Sequence, residues 1–268
     1  MIINIAGGTG TMGKVHKPIF EAAGHKVILS GRKTSPNLEE AAQIADVTIV
    51  SVPIPATEEV IQGVAPYSGA LMDFTGVKTL PIEWMLNYSN DPCQVAGLHP
   101  LYREPATLRE QTIIYCPTFR TGNKCKEVLD ALVGAGADIT IMNPEQHDRW
   151  VLSRAQNSRT ALLAAYALLL KQVAEEDITL KAFYKVSPPP TKALIDLIAR
   201  QFNQDNDELY ASMRKFNPFQ KSENSDLILA LSKVLNGDFD SASIRGIFGE
   251  DLAKYQKRAE KIISLYGK

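Results

Sequence analysis

Short hydrophobic runs alternate with longer mixed segments through the first half of the chain. The runs are rich in Val, Ile and Leu and nearly continuous, a pattern typical of parallel strands that are covered on both faces. The intervening segments are predicted to be helices, although Pro18 should bend or weaken the first one. Strands alternating with helices predict a mostly parallel, doubly wound α/β sheet. The predicted strands are residues 2–5, 26–30, 45–53, 70–74, 95–98, 112–116 and 137–141.

The second half of the chain has a different character. We find no strand pattern after residue 143, and long helices are predicted at residues 150–174, 192–203, 225–235 and 250–266. We therefore expect two domains, residues 1–143 and an all-helical domain of residues 144–268. The segment 161–170 is apolar almost all round, so it should be buried in the domain core or across a subunit interface. This helix favours a homodimer formed through the helical domain.

Composition excludes several classes of function. The chain has 268 residues, 45% of them hydrophobic and 22% charged, with a formal net charge of −1. This balance gives no basic field for nucleic acid or an anionic membrane. No apolar run reaches the roughly 18 residues needed to cross a bilayer, and the N-terminus resembles a strand rather than a signal peptide. We therefore expect a cytoplasmic protein without a nucleic-acid or membrane partner.

The three cysteines do not predict a disulfide framework or a metal site. They are odd in number and form no Cys-x-x-Cys pair. Reduced, structural thiols are therefore expected, and we predict no bound metal. The residues concerned are Cys93, Cys116 and Cys125.

The first predicted strand leads into a glycine-rich turn. Gly8, Gly10 and Gly13 have the spacing G-x-G-x-x-G, followed by a predicted helix, which is the context in which the motif binds a dinucleotide. The glycines permit a tight turn, close approach of a pyrophosphate and close packing of helix on strand. An ordinary glycine turn is the alternative. The motif predicts a Rossmann-type cofactor site at Gly8, Thr9, Gly10, Thr11, Met12 and Gly13.

The end of the second strand bears on the choice of cofactor. NAD enzymes usually place a carboxylate there to hold the ribose 2′-hydroxyl. Here the residues are Ser30, Gly31, Arg32 and Lys33. Two cations and no carboxylate favour the 2′-phosphate of NADP over NAD. The alternative is that Arg32 and Lys33 are solvated surface cations.

Four segments resemble the prephenate and arogenate dehydrogenases. They are residues 7–13; residues 50–54 with Thr57 and Glu58; the Gly-Leu-His-Pro-Leu-Tyr block of residues 97–102; and Glu-Gln-His-Asp at residues 145–148. The resemblance implies NAD(P)-dependent oxidative decarboxylation of a cyclohexadienyl dicarboxylate. It also implies that Val52 and Pro53 line the cofactor site. The substrate would be prephenate, arogenate or an amino-substituted analogue.

The resemblance assigns roles to three further residues. His99 matches the catalytic histidine, and a neutral imidazole suits removal of a hydroxyl proton. Arg200 matches an arginine that binds a substrate carboxylate, although an exposed helix arginine would look the same in sequence. His147 also matches a family position, but it could simply cap a helix. His16 and His25 are expected at the surface.

The chain departs from the family pattern near the expected substrate site. Gly76, with Thr75 beside it, stands where a serine is common, and Arg159 stands where many members have a histidine. The loop of residues 103–105 reads Arg-Glu-Pro where a glycine is usual. We predict that Thr75, Gly76 and Arg159 contact the substrate, whose identity these changes leave open.

Two other functions remain open on the same fold. One is an NADP-dependent reductase of another small molecule, which would not need the Gly-Leu-His-Pro block. The other is a catalytically inactive regulator that senses a dinucleotide, because fold does not fix function. We expect no fused chorismate mutase segment, because the glycine turn begins at residue 7.

Overall fold

The computed structural model describes residues 1–176, 178–202, 207–236, 245, 247 and 249–266. Contacts within the chain divide it into two compact units. Unit 1 is Met1–Arg154 with Leu209–Gln220, and unit 2 is Ala155–Glu208 with Lys221–Lys268. The domain boundary expected after residue 143 stays a prediction.

Unit 1 is built on a seven-stranded sheet in the order β2-β1-β3-β4-β5-β6-β7. All neighbouring strands are parallel except the antiparallel pair β5 and β6. This arrangement confirms the Rossmann-type, mostly parallel sheet, with every predicted strand present. The strands are β1 Ile2–Ala6, β2 Lys26–Ser30, β3 Val47–Val50, β4 Ala70–Asp73, β5 Gln94–Pro100, β6 Thr112–Pro117 and β7 Asp138–Ile141.

Helices account for most of the remaining described residues. After Ile141 the described residues contain no strand, as predicted. A π-helix, Asp148–Ala155, separates α6 from α7. The α-helices are α1 Thr11–Ala22, α2 Leu38–Ile44, α3 Ile54–Val64, α4 Thr79–Tyr88, α5 Asn123–Gly134, α6 Pro144–His147, α7 Gln156–Glu175, α8 Leu180–Val186, α9 Pro189–Phe202, α10 Asp207–Lys215, α11 Gln220–Leu235 and α12 Leu252–Ile263.

The sheet of unit 1 is covered by apolar packing on both faces. Alternate residues of one strand point to opposite faces, so Leu71 and Met72 of β4 enter two different hydrophobic clusters. One cluster contains Phe20 of α1 and Val128 of α5, and the other contains Ile61 of α3. Burying each such side chain stabilises the fold by about 1.5–3 kcal/mol. The inner strands are therefore mostly apolar, whereas the edge strands β2 and β7 are partly exposed.

Several helix predictions needed correction. Helix α1 continues through Pro18, which is exposed and so accommodates its ring at the surface. Helices α8 and α10 were not predicted. The segment predicted as one helix from residue 150 begins as a π-helix, in which Ser153 Oγ donates to the Asp148 carbonyl at 3.2 Å and Asn217 Nδ2 donates to the same oxygen at 3.2 Å. Side chains thus satisfy a carbonyl that a regular α-helical turn would have bonded.

The apolar segment of α7 is not buried within the described chain. Leu162 is 37% exposed and Leu168 is 58% exposed. Burial in the domain core is therefore wrong, and burial across a subunit interface stays a prediction.

Two glycines of the first turn are required by close packing. Gly7 has φ +86°, a left-handed conformation that favours glycine. At Gly13 a Cβ atom would lie 2.0 Å from the carbonyl oxygen of Gly8. Because that neighbour is backbone, helix α1 could accept a side chain there only by moving away from the turn.

We expect Gly13→Ala to lower the free energy of unfolding by about 1–3 kcal/mol, the usual cost of overpacking. Urea denaturation followed by circular dichroism measures the change. Gly134→Ala is the matched control, because nothing lies within 4 Å of the added Cβ. That variant should be as stable as the parent or gain up to about 1 kcal/mol. Equal effects at the two positions would contradict the packing argument.

Candidate active site

The N-terminus of α1 has the features of a phosphate-binding turn. Gly10 is the N-cap residue and has no capping side chain, and the first helical turn has no acidic residue. Thr9 and Gly10 are exposed, and a Cβ on Gly10 would meet nothing closer than the Gly7 carbonyl at 3.4 Å. The positive end of the helix and its amide groups are therefore open to an anion. Thr11 and Met12, the first two residues of α1, are half-buried.

The ends of β2 and β3 border the glycine turn. The turn after β2 is held by Thr34, whose hydroxyl accepts from the Gly31 amide at 2.8 Å and donates to the Pro36 carbonyl at 2.7 Å. Ser30 is buried and donates to Asn4 Oδ1 at 2.7 Å. The residues after β3 pack closely against Gly7. A Cβ atom added to Gly7 would lie only 2.6 Å from Cγ1 of Val52.

The two predicted 2′-phosphate ligands are surface residues. Arg32 is 71% exposed at its side chain and lies 3.5 Å from the carboxylate of Glu59 in α3. Lys33 is also exposed. Pro53, which precedes α3 as its N-cap residue, is exposed on the same part of unit 1. The exposed positions of Arg32, Lys33 and Pro53 suit contacts with the adenosine part of a dinucleotide. The exposed N-terminus of α1 suits its pyrophosphate.

His99 lies near the end of β5 and is 8% exposed. Its Nδ1 is 2.8 Å from Nε2 of His147, and Nδ1 of His147 is 2.7 Å from Oδ1 of Asp148. His147 and Asp148 are fully buried. The structure thus joins three residues in a hydrogen-bonded chain, here called the relay, that ends at His99.

The relay fixes the tautomer of each imidazole. Asp148 is a carboxylate and can only accept, so His147 Nδ1 carries the proton that it donates. His147 Nε2 then has a lone pair, and His99 Nδ1 must be the donor. His99 Nε2 is consequently left without a proton. An unprotonated imidazole nitrogen is the group that a general base requires.

Asp148 is anchored by the start of α4. Its Oδ1 accepts from the Lys78 amide at 2.9 Å and its Oδ2 accepts from the Thr79 amide at 2.9 Å. Burial alone would raise the pKa of Asp148, but hydrogen bonds from His147 and Thr79 hold it below the usual value. The carboxylate therefore stays charged at neutral pH.

The two imidazoles of the relay stay neutral at the same pH. Burial lowers the pKa of His99 well below its usual value, and the neighbouring His147 and Lys78 lower it further. Burial also lowers the pKa of His147, although hydrogen bonding to Asp148 opposes this effect. A proton accepted at His99 would therefore be held weakly and released readily.

Comparisons with known proteins show what this chain is similar to. The model of the nucleotide-binding domain of prephenate dehydrogenase matches residues 20–141, which include His99. A probable arogenate/prephenate dehydrogenase of Methanocaldococcus jannaschii is 28% identical over 309 residues, covering 100% of this chain and 68% of that protein. The T-protein of Haemophilus influenzae is 31% identical over 244 residues, covering 90% of this chain and 60% of the T-protein. The chain is therefore similar to prephenate dehydrogenases along its length, and residues 20–141 match their nucleotide-binding domain.

The chain spans about two thirds of the length of these curated relatives. A solved structure with a similar fold is prephenate dehydrogenase from Aquifex aeolicus in complex with hydroxyphenyl propionate and NAD+. The TM-score is 0.66 at 19% identity, and the match covers 97% of this chain and 96% of that one. These similarities confirm the predicted resemblance to prephenate dehydrogenases and the nucleotide-binding domain.

The prephenate dehydrogenase pattern is altered at the loop after β4. The Thr75 hydroxyl is buried, donates to the Asp73 carboxylate and lies 2.9 Å from the Val77 carbonyl. At Gly76, where the family commonly has serine, a Cβ would lie 2.2 Å from Cε of Met213. A methionine therefore fills the space that a side chain at residue 76 would need. Contact of Thr75 and Gly76 with substrate stays a prediction.

The two arginines expected at the substrate belong to unit 2. Arg159 is half-buried on α7, and Arg200 is exposed in the last turn of α9. Their roles stay predictions. The exposed position of Arg200 leaves its guanidinium open to solvent.

The relay partners of His99 were missed in the sequence. His147 was noted as a family position that could also cap a helix, but Asn143 caps α6 and forms a capping box with Gln146. The adjacent pair His147 and Asp148 was the available signal, since a carboxylate beside a histidine is a common orienting arrangement.

His16 was wrongly expected at the surface. It is fully buried, with its Nδ1 2.8 Å from the Met12 carbonyl and its Nε2 2.9 Å from the Tyr102 hydroxyl. Burial lowers its pKa to about 4. Met12, His16 and Phe20 recur every four residues, so they share the inner face of α1. His25 is half-buried, with its Nδ1 3.3 Å from the Met1 amino group.

The described residues contain neither a membrane-spanning helix nor a metal-binding cluster. No helix in the described ranges is long and apolar enough to cross a bilayer. No group of three or more His, Cys, Asp or Glu residues is placed there to hold a metal ion. Cys93, Cys116 and Cys125 are free and buried.

Asp148→Asn should disturb the tautomers of both relay histidines. The carboxylate accepts from three donors, whereas an amide has one acceptor oxygen and would place its own N–H groups against a donor. We expect His147 and His99 each to change from a single Nδ1–H form to a mixture. Imidazole ¹⁵N–¹H correlation spectra at pH 7 distinguish the two forms.

His16 is the internal control for this experiment. The Met12 carbonyl requires Nδ1 of His16 to be the donor, and this contact is independent of Asp148. Its spectrum should be the same in the parent and in the variant. Unchanged tautomers at His99 and His147 in a folded Asp148→Asn protein would contradict the relay.

Proposed function

We propose that this chain is an NAD(P)-dependent dehydrogenase that oxidatively decarboxylates prephenate or a close cyclohexadienyl analogue, such as arogenate or 4-amino-4-deoxyprephenate. Similarity to prephenate dehydrogenases supports this class of reaction. The observation that carries the proposal is the relay, which leaves His99 with an unprotonated Nε2 at the end of β5. Ligands of doubly wound sheets bind at the carboxyl ends of parallel strands, which is where His99 lies.

The proposed chemistry uses His99 as the proton acceptor. When bound, the nicotinamide supplies the acceptor for the hydride that leaves the carbinol carbon. His99 Nε2 takes the hydroxyl proton, so the oxygen becomes a carbonyl as the hydride departs. Loss of carbon dioxide leaves its bonding electron pair in the ring and gives a phenolate, which takes the proton back from His99 to become a phenol. The amino analogue would follow the same steps with an amine in place of the hydroxyl and give an aniline. His147 and Asp148 hold His99 in the required tautomer during this step.

Two arginines are proposed to bind the substrate carboxylates. A guanidinium pairs with a carboxylate through two parallel hydrogen bonds, and a dicarboxylate offers two such groups. Arg200 is assigned one carboxylate and Arg159 the other. The proposal for Arg159 explains why a cation replaces the histidine that many family members have there.

NADP is proposed as the preferred cofactor. The end of β2 presents Arg32 and Lys33, both exposed, where an NAD enzyme usually has a carboxylate. Glu59 lies 3.5 Å from Arg32 and would compete with a 2′-phosphate for the same guanidinium. Because this ion pair is exposed to solvent, it is worth little and would exchange easily.

A homodimer formed through the helical unit is proposed. Unit 2 has many large apolar side chains exposed in the described chain, and apolar surface that forms a contiguous patch marks a protein–protein interface. The apolar segment 161–170 of α7 adds to this surface. A second copy of the same chain would cover it in a symmetric assembly. Among the exposed residues are Leu168 at 58%, Val186 at 80%, Leu197 at 57%, Ile228 at 68% and Leu235 at 85%.

His99→Asn tests the proposed reaction. Asparagine preserves hydrogen-bonding size but cannot act as a base, so we expect kcat to fall by roughly 100-fold or more. Absorbance of the reduced nicotinamide is followed with prephenate, arogenate and the amino analogue, each with NADP and NAD. Cofactor binding, measured by fluorescence titration, should change by less than about threefold.

The same panel of substrates tests the proposed dehydrogenase against the two alternatives, a regulator and a reductase of another small molecule. No turnover of any cyclohexadienyl acid by the parent protein, with tight cofactor binding, would favour a dinucleotide-sensing regulator. Turnover that survives His99→Asn undiminished would remove His99 from the mechanism and favour a different reductase chemistry.

Arg32→Ser tests the choice of cofactor. Loss of a charged contact to the 2′-phosphate should raise KM for NADP by about tenfold, with little effect on NAD. Glu59→Gln is the opposing variant and should lower KM for NADP slightly, because it frees the guanidinium. Lys126→Ala, which removes an exposed lysine of α5, is the control. Equal changes for NADP and NAD in Arg32→Ser would contradict the assignment.

A further inference from the structure

Lys78 is a fully buried cation beside the relay. Its ammonium forms an ion pair with the buried Asp73 carboxylate and donates to the Leu98 carbonyl at 2.8 Å. The Thr75 hydroxyl lies 3.4 Å from the same nitrogen. Both charged side chains have 0% exposure. Taking an ammonium and a carboxylate out of water costs several kcal/mol each, so the arrangement requires an explanation.

The backbone of Lys78 contacts the other end of the relay. Its amide donates to Asp148 Oδ1 at 2.9 Å, the oxygen that also accepts from His147. Its ammonium meanwhile holds the carbonyl of Leu98, the residue immediately before His99. One residue therefore touches both the peptide that carries His99 and the carboxylate that orients His147.

We infer that Lys78 is a positioning residue for His99. Its ammonium holds the peptide before this histidine against the relay, and its buried positive charge keeps the imidazole neutral, with Nε2 unprotonated. Only the expected effect of Lys78 on turnover rests on the proposed function. Its effect on the protonation of His99 requires no assigned substrate.

The charges around His99 decide the sign of the effect. The ring contacts His147, and the ammonium of Lys78 holds the carbonyl of the residue before His99. The two carboxylates lie one step behind these neighbours, Asp148 beyond His147 and Asp73 beyond Lys78. Burial, His147 and Lys78 all lower the pKa of His99. Removing the cation should therefore raise that pKa toward the usual value for histidine.

Asp73 is the counter-ion rather than a second base. Burial raises its pKa, and Lys78 opposes that shift. Its Oδ1 atom has no hydrogen-bond partner among the described residues. Removing Lys78 alone would strand a buried carboxylate, so the clean test replaces both charges together.

The test compares the parent with the double variant Asp73→Asn/Lys78→Met, which is close in size and uncharged. His99 is followed by ¹³C and ¹⁵N imidazole shifts from pH 5 to 8, a range in which histidine titrates. We expect the His99 midpoint to move upward by about half a pH unit or more. The acidic limb of kcat against pH should move in the same direction. Lys124→Met, which breaks an exposed ion pair with Asp46, is the control and should leave both unchanged.

The parent protein provides a second test if the double variant does not fold. His99 in the parent should stay neutral, in the Nδ1–H form, to well below pH 6.5. A parent His99 that titrates at or above that value would overturn the inference. So would a folded double variant with the parent's His99 titration.

The two proposals fail in different ways. If the parent turns over no cyclohexadienyl acid but the His99 midpoint still moves in the double variant, the proposed function falls and the role of Lys78 stands. If turnover is present and both the titration and the kcat profile are unmoved in the double variant, Lys78 is only a structural residue and the inference falls.

Discussion

The buried carboxylate of Asp148 is the interaction on which the candidate site depends. A carboxylate without exposure is costly unless its oxygens are satisfied, and here two amides at the start of α4 and one imidazole supply the donors. The positive end of α4 adds a favourable field. Because the amides and the carboxylate are about 70 residues apart in the chain, this contact ties the loop after β4 to the segment after β7. His147 takes its orientation from that junction, and His99 takes its tautomer from His147.

The electrostatic design keeps charge one layer away from the reacting nitrogen. Two imidazoles in direct contact cannot both be positively charged at low cost, and the ammonium of Lys78 makes a positive charge on His99 less favourable still. The nearby carboxylates are Asp73, which pairs with this ammonium, and Asp148, which accepts from the Lys78 amide. His99 is therefore neutral at neutral pH, with Nε2 free to accept a proton. In the proposed reaction, its low pKa would let it release that proton in each turnover.

The sequence predicted the parts of this molecule that depend on local pattern. Strands buried on both faces are apolar throughout, and the glycine turn needs glycine for steric reasons that a spacing rule captures. His99 was found from the resemblance carried by its neighbours. The relay was not found, because His99 and His147 are 48 residues apart and meet only through the order of strands in the sheet. The pairing of Lys78 with Asp73 and the burial of His16 likewise depend on packing between elements, which periodicity does not encode.

Gly76 shows how the relay relates to the family pattern. The resemblance implies that a serine at this position commonly bonds the catalytic histidine and the substrate hydroxyl. In this chain Met213 occupies the space beside Gly76, so no side chain at residue 76 can reach toward His99 without displacing it. His99 does not need that partner, because its Nδ1 is already held by His147 at 2.8 Å. Under the proposed function, the absence of a hydroxyl at residue 76 leaves His99 Nε2 as the group that binds the reacting hydroxyl or amine.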